Sequence, residues 1–394
     1  MREGWEIKKL GEVCEIYNGG TPSTNIPEYW DGGIQWITPK DMGRSKDMYV
    51  SHCERTISQE GVEHSSTKVL PERSVIVSSR APIGYVAINE VPMATNQGCK
   101  GFVLGKEIYP EFLYYFLLSS TDLLNKLGTG ATFKEVSGKK LAGIELPFPS
   151  LPEQQRIVDI LNRDFAKIDA LKANAEKSLQ AAKDLFQATL KKELEPKDGW
   201  MTQTIGDVCF VQGGSTPRRT EKAFWENGTY PWFTIDDVRE QGRIISDTKQ
   251  KITKLAWDKI RVFPANSVLL CCTASVGEYA ISTIPISSNQ QFNGLTIKDE
   301  KTLLPMFLFH FASTLKDKLL SLSGKATIDF VSGGKVRSVP ISFPASIKEQ
   351  ETIISRLDNI NNKCTTLQQN YQKTLTLCDD LKQSLLRKAF IGEL

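Results

Sequence analysis

The chain is written twice, and that constrains its fold more than any local pattern. Leu10-Gly11-Glu12-Val13-Cys14 returns about 195 residues later as Ile205-Gly206-Asp207-Val208-Cys209. At nearly the same offset Thr21-Pro22 returns as Thr216-Pro217, and Trp30 and Trp36 return as Trp225 and Trp232. Asn96-Gln97 matches Asn289-Gln290, Val136-Ser137-Gly138 matches Val331-Ser332-Gly333, and Glu153-Gln154 matches Glu349-Gln350. Small drifts in the offset place insertions in loops. A duplication of nearly the whole chain predicts two copies of one supersecondary plan.

Each copy ends in a long stretch free of Pro and Gly, Glu153–Leu194 and Glu349–Phe390. In the second, one seven-residue spacing runs through Ile353, Ile360, Leu367, Thr374 and Leu381, and another through Leu357, Cys364, Tyr371, Cys378 and Leu385. Two mostly apolar interleaved rows predict the seam of a coiled coil. The first stretch keeps the frame with Ile157, Leu161, Ile168, Leu171, Ala175, Ala182 and Leu185, interrupted by Asp164 and Ser178. At about 1.5 Å per residue each helix extends roughly 60 Å. Such a rod needs a partner, and the obvious one is the other copy.

Short apolar runs before each rod read as strands: Ile34–Thr38, Ser74–Ser79, Tyr85–Asn89 and Gly101–Leu104, with counterparts Tyr230–Ile235, Ser267–Cys272, Glu278–Thr283 and Asn293–Ile297. A helix follows over Pro110–Leu127 and again over Pro305–Leu322, each opening on Pro. The expected fold is therefore α/β (α+β): a domain over 1–150, a long helix over 151–195, a second domain over 196–346 and a second long helix over 347–394. A pseudo-twofold axis is the simplest relation between the copies, with the rods antiparallel. Twofold-related modules are a common way to read duplex DNA, whose half-sites recur every 34–36 Å or so. Two heads of different sequence would read two different half-sites. A two-headed coiled-coil adaptor without DNA recognition has the same outline.

Composition excludes several classes. No run of about 18 apolar residues occurs and the opening MREGWEIKKLGEV has no apolar leader, so a soluble cytoplasmic protein with no membrane partner is expected. The eight Cys form no CxxC pair, and reduced, buried thiols are expected. His52, Cys53 and His64 match no common zinc spacing, and no metal site is expected. The net charge of +3 neither demands nor excludes nucleic acid.

Paired openings stand around Trp5 and Trp200, followed by the turns Gly19-Gly20-Thr21-Pro22 and Gly213-Gly214-Ser215-Thr216-Pro217. With these go the recurrent Asn96-Gln97 and Asn289-Gln290, the run Leu146–Ile157 and the terminal run Leu385–Leu394. On these residues the chain resembles closely the DNA-specificity subunit of type I restriction–modification enzymes. The resemblance implies two target-recognition domains, each reading part of a split site in double-stranded DNA, separated by two spacer helices. It also implies two methyltransferase (M) subunits docked on the helices and two restriction/motor (R) subunits in the full complex. S-adenosylmethionine, ATP and Mg would then serve the partners, with no cofactor bound by this chain. Ala345-Ser346-Ile347-Lys348 departs from the family's Pro-rich run before the second helix.

Motifs for autonomous catalysis are missing. There is no GxxxxGK[ST] loop, since Gly324-Lys325-Ala326-Thr327 lacks the upstream Gly, and no Asn-Pro-Pro-aromatic motif for a flipped adenine. A non-catalytic reader is expected, with adenine methylation and cleavage performed by partners. Donors on loops could touch DNA: Thr21, Ser23, Lys40, Arg80, Lys134, Lys139 and Lys140 in the first domain. In the second they are Arg218, Arg219, Arg239, Arg243, Lys325 and Lys335, with Arg218-Arg219 the sharpest pair because a guanidinium bonds guanine O6 and N7 together. Asn96-Gln97 and Asn289-Gln290 recur in both domains, which favours a structural role. Arg80 aligns with Thr273 and so differs between the domains.

Overall fold

The computed structural model describes residues 3–45, 47–130, 134–323 and 329–394. It divides into two compact units. Unit 1 comprises Met1–Glu176 and Gln372–Leu394, and unit 2 comprises Lys177–Tyr371. The divisions fall inside the two long helices, Leu151–Glu193 and Ile347–Ile391. Each unit thus holds a globular body and one segment of each helix.

In unit 1 a five-stranded sheet runs Cys14–Asn18, Cys99–Leu104, Val75–Ser79, Ile83–Asn89, Tyr49–Val50 from edge to edge. Its central strand is buried on both faces, which explains its unbroken apolar reading. Val75 and Val77 face a core containing Phe112, Leu113 and Leu117, while Ile76 faces another containing Ile37 and Met42. A second sheet orders Thr56–Ile57, Trp30–Ile37, Met93–Thr95 and Val69–Leu70.

Unit 2 repeats the five-stranded sheet with Cys209–Gly213, Phe292–Ile297, Val268–Cys271, Tyr279–Ser282 and Ile244–Ile245. Its second sheet is Gln250–Ile252, Tyr230–Phe233 and Ser287–Ser288. Where unit 1 adds the strand Val69–Leu70, unit 2 has a single bridge between Phe263 and Ile286. Even the unusual backbone recurs: Asp31, Arg73 and Ala81 in unit 1 and Asn227, Asn266 and Ala274 in unit 2 all take positive φ.

The expected helices over Pro110–Leu127 and Pro305–Leu322 are each broken in two, Pro110–Ser119 with Thr121–Leu127 and Pro305–Ala312 with Lys316–Leu322. A pair of strands absent from the sequence reading joins the start of each body to its exit, Glu6–Lys9 on Glu145–Phe148 and Trp200–Thr204 on Pro340–Pro344. Prolines at these strands hid them, because Pro weakens a strand reading.

The recurrent Gln of Glu153-Gln154 and Glu349-Gln350 is the fastening of each long helix. Gln154 is fully buried; its Oε1 accepts from Tyr109 N–H at 2.9 Å, and its Nε2 donates to the carbonyls of Glu107 at 3.1 Å and Pro149 at 2.9 Å. Gln350 does the same with Leu304 N–H and the carbonyls of Thr302 and Pro344, each at 2.9 Å. One side chain in each unit therefore satisfies three backbone groups that burial would otherwise orphan.

Within unit 1 the two helical segments run antiparallel, with Lys382 on Asp169 at 2.5 Å, Lys172 on Asp379 at 2.7 Å and Arg156 on the Leu394 carbonyl at 2.6 Å. The C-terminal turn also completes the core: the Phe390 ring lies 5.2 Å from Phe112 and 5.4 Å from Phe116. Unit 2 is completed likewise by the end of the first long helix, where Leu190 and Leu194 join Ile353 and Leu357, and Arg356 lies 3.6 Å from Glu193.

The expected two-row seam is only partly realised. Ile157, Leu161, Ile168, Ile353 and Leu357 are buried, and Ile360, Tyr371 and Leu385 are half-buried. Leu171, Leu185, Leu367 and Leu381 are exposed, so they lie outside the seam. One seven-residue row of each helix nevertheless stays inward along its length: Leu161, Ile168, Ala175 and Ala182 in the first, and Leu357, Cys364, Tyr371, Cys378 and Leu385 in the second. The companion rows are the ones that reach solvent.

Candidate nucleic-acid interface

The same buckle organises the polar edge of each body. In unit 1 the Gly-Gly turn lies so close to the turn after the strand Met93–Thr95 that a Cβ on Gly19 would overlap the carbonyl oxygen of Asn96. Trp36 Nε1 donates to Gly20 O at 3.0 Å and Trp30 Nε1 to Ser23 O at 3.1 Å, while Thr21 Oγ1 is bonded to Gln97 Oε1. Asn96 Oδ1 accepts from Gly98 N–H at 2.7 Å, capping its own turn. Unit 2 reproduces each contact: Trp232 to Ser215 O, Trp225 to Arg218 O, Thr216 to Gln290, and Asn289 Oδ1 to Gln291 N–H at 3.1 Å. The shared Asn-Gln pair is thus engaged in building a loop.

The indole pair in each unit is set edge to face, at 5.1 Å for Trp30 and Trp36 and 5.0 Å for Trp225 and Trp232. An arginine lies over each pair, from a different place in the chain. Arg55 stands 3.6 Å from the Trp30 ring, and Arg219 stands 3.8 Å from Trp225 and 4.6 Å from Trp232. Partial burial lowers the Arg219 pKa from its ordinary value. Sequence reasoning missed Arg55, because its role is visible only once the indoles are in place.

The other candidates separate by what they already hold. Ser23, Lys134, Lys139 and Arg218 are exposed. Lys40 pairs with Glu54 at 3.2 Å, as does Arg44 at 2.5 Å, and these cations hold the Glu54 carboxyl below its ordinary range. Arg239 pairs with Asp236 at 3.3 Å. Arg243 is committed internally, 4.1 Å from the Tyr279 ring, 2.8 Å from the Tyr279 carbonyl and 2.9 Å from Glu278. Lys140 Nζ donates to Leu127 O at 2.7 Å and Lys335 Nζ to Leu322 O at 2.6 Å, each closing the C-terminal end of a short helix. Lys325 lies outside the described residues. Arg80 lies 3.7 Å from Glu135, whose other oxygen is 3.0 Å from the buried Lys100. Lys100 and Glu135 were missed by sequence reasoning, although they oppose Asn293 and Phe330 in the duplicated alignment.

Two copies of one domain model, described as the type I restriction modification DNA specificity domain, match residues 2–181 and 197–377. This chain belongs to the type I restriction–modification DNA-specificity family. Over 415 residues it is 28% identical to the type I restriction enzyme MjaIX specificity subunit of Methanocaldococcus jannaschii, covering 99% of this chain and 93% of that protein. A local match of 165 residues, 40% of each chain, is 39% identical to the EcoR124I/EcoR124II specificity subunit of Escherichia coli. Among solved structures, a chain from work on complex assembly and conformational transition of the type I R-M system superposes with a TM-score of 0.83. It is 20% identical and the match covers 100% of this chain and 99% of that one. Sequence-specific DNA recognition is the function of this specificity chain, and the adaptor reading is not favoured.

Proposed function

We infer that this specificity chain reads a bipartite, asymmetric DNA site, one half with each unit, and performs no chemistry itself. The observation that carries this reading is the shared buckle in both units presenting different side chains, Ser23 in one and Arg218 at the aligned place in the other. Lys40 on the helix Pro39–Ser45 and Arg239 on the helix Ile235–Gln241 are further unlike donors. A shared loop scaffold with divergent donors is what two readers of unlike half-sites require. Exposed Lys134 and Lys139 serve unit 1 as further DNA contacts. Thr21, Arg219, Arg243, Lys140 and Lys335 act by holding the loops.

The partners are two M subunits, which supply adenine methylation with S-adenosylmethionine, and two R subunits, which supply ATP- and Mg-dependent cleavage. The exposed Leu171, Leu185, Leu367 and Leu381 offer apolar surface for docking M. Among the described residues no helix is long and apolar enough to cross a membrane, and the cytoplasm is the proposed location.

The test is to map DNA methylation in cells making this chain with its methyltransferase and in cells lacking it. One new split motif with adenine methylated in both halves is expected. A methyltransferase complex that forms without any new motif would overturn the reading.

A further inference from the structure

Because both units are built on one framework, a difference in what they read must come from places where the backbone is shared and the chemistry is not. In unit 1 the strand Val75–Ser79 ends at Arg80, and Val136 N–H ties the segment before the helix Gly138–Ala142 to Ser79 O at 3.0 Å. Unit 2 makes the same tie, from Val331 N–H to Cys272 O at 2.8 Å. The side chains gathered there differ completely. Unit 1 brings Arg80, Lys100 and Glu135 together, whereas unit 2 has Thr273, Asn293 and Phe330 at the aligned positions.

The charged trio has a definite order. Lys100 is the buried member, held by Glu135 at 3.0 Å and by the Gln97 carbonyl at 3.3 Å. Glu135 and Arg80 reach solvent, with side chains 38% and 34% exposed. Lys100 and Glu135 line an open cleft of about 770 Å³ together with Asn18, Ser137 and Lys139. A simple phosphate site would not set a carboxylate 3.7 Å from its guanidinium, because the carboxylate repels the anion. Guanidinium and carboxylate side by side instead complement one base pair, the first donating to guanine O6 and N7 and the second accepting from cytosine N4. At the matching place in unit 2 the Phe330 ring is 54% exposed and can offer only apolar contact, as to a thymine methyl.

We propose that this tie sets the identity of one base pair in each half-site: Arg80 with Glu135 reads a guanine–cytosine pair, and Phe330 meets a thymine methyl. The proposal rests on the bipartite reading above. Its test is selection of the full chain on a library of random DNA duplexes at fixed salt, using wild type, Arg80→Thr, Arg80→Lys and Phe330→Ser, with thermal melting as the control for folding.

Wild type should select a split motif. Arg80→Thr should lose discrimination for one guanine–cytosine pair in one half by about tenfold or more, leaving the other half intact. Arg80→Lys, which keeps the charge, should lose that discrimination while retaining affinity for unrelated duplex. Phe330→Ser should relax one thymine in the other half only. An unchanged motif, equal weakening on all sequences, or changes in both halves from a single substitution would overturn the assignment. A wild-type chain that selects no split motif would instead bring down the bipartite reading beneath it.

Discussion

His310 Nε2 stands 2.9 Å from Asp358 Oδ1, in the place where unit 1 sets Tyr115 Oη against Asn162 Oδ1 at 2.6 Å. Both pairs join a buried helix to a long one, but only the pair in unit 2 contains an imidazole. Burial lowers the His310 pKa below its ordinary 6.5, and this outweighs the opposing pull of Asp358. The unfolded chain therefore takes up this proton at a higher pH than the folded one. The contribution to stability is complete above 6.5 and is lost as pH falls through and below it. Unit 2 should unfold more readily as pH falls below 6.5. The double substitution His310→Tyr, Asp358→Asn, which installs unit 1's pair, should flatten that part of the profile; denaturant titrations across pH check it.

Removing the buried glutamines should destabilise each unit through backbone groups left without partners. Gln154→Leu orphans Tyr109 N–H and two carbonyls, and Gln350→Leu does the same around Leu304. A loss of about 2–4 kcal/mol is expected for each, read from unfolding midpoints.

For Lys140 and Lys335 the expectation is structural. Lys140→Met or Lys335→Met should lower stability by about 1 kcal/mol, the worth of a lost hydrogen bond, with base preference unchanged in a binding selection. A shift in motif without loss of stability would return these lysines to the DNA surface.

The adjacent arginines should part company. Arg218→Ala should weaken recognition in one half-site and leave the melting temperature alone, since its side chain is exposed. Arg219→Ala uncovers the Trp225 and Trp232 rings and should cost about 1 kcal/mol in stability as well. Parallel melting and binding curves on the two variants separate the roles.

Phe390→Ala should act at a distance in sequence. It empties a site against Phe112 and Phe116 in unit 1, and a loss of about 3–5 kcal/mol confined to that unit is expected. Hydrogen exchange resolved by peptide would show which unit opens.

The duplication made much of this fold legible before any coordinates. Strands such as Val75–Ser79 were found because they are buried on both faces and read as unbroken apolar runs. The pair Glu6–Lys9 and Glu145–Phe148 escaped because Pro147 sits opposite Ile7. Heptad counting found the row Leu357, Cys364, Tyr371, Cys378 and Leu385, which stays inward, while its companion row leaves Leu367 and Leu381 exposed. In the site, recurrence was the best guide. It marked Asn96-Gln97 as structural, and the same logic applied to Lys140 and Lys335 would have assigned them to helix ends. Arg55 and Arg219 lie outside its reach, since the two units place an arginine on the indole pair from unrelated positions.

The split composition of unit 1 also fixes an order of birth. Unit 2 is one continuous stretch of chain, Lys177–Tyr371, whereas unit 1 needs residues 372–394 to bring Leu386, Ala389 and Phe390 to its core. On the ribosome the later-coded unit therefore has all its parts first, and the earlier-coded one waits with its hydrophobic face open. A chain stalled or clipped before residue 372 would carry one finished reader and one unfinished.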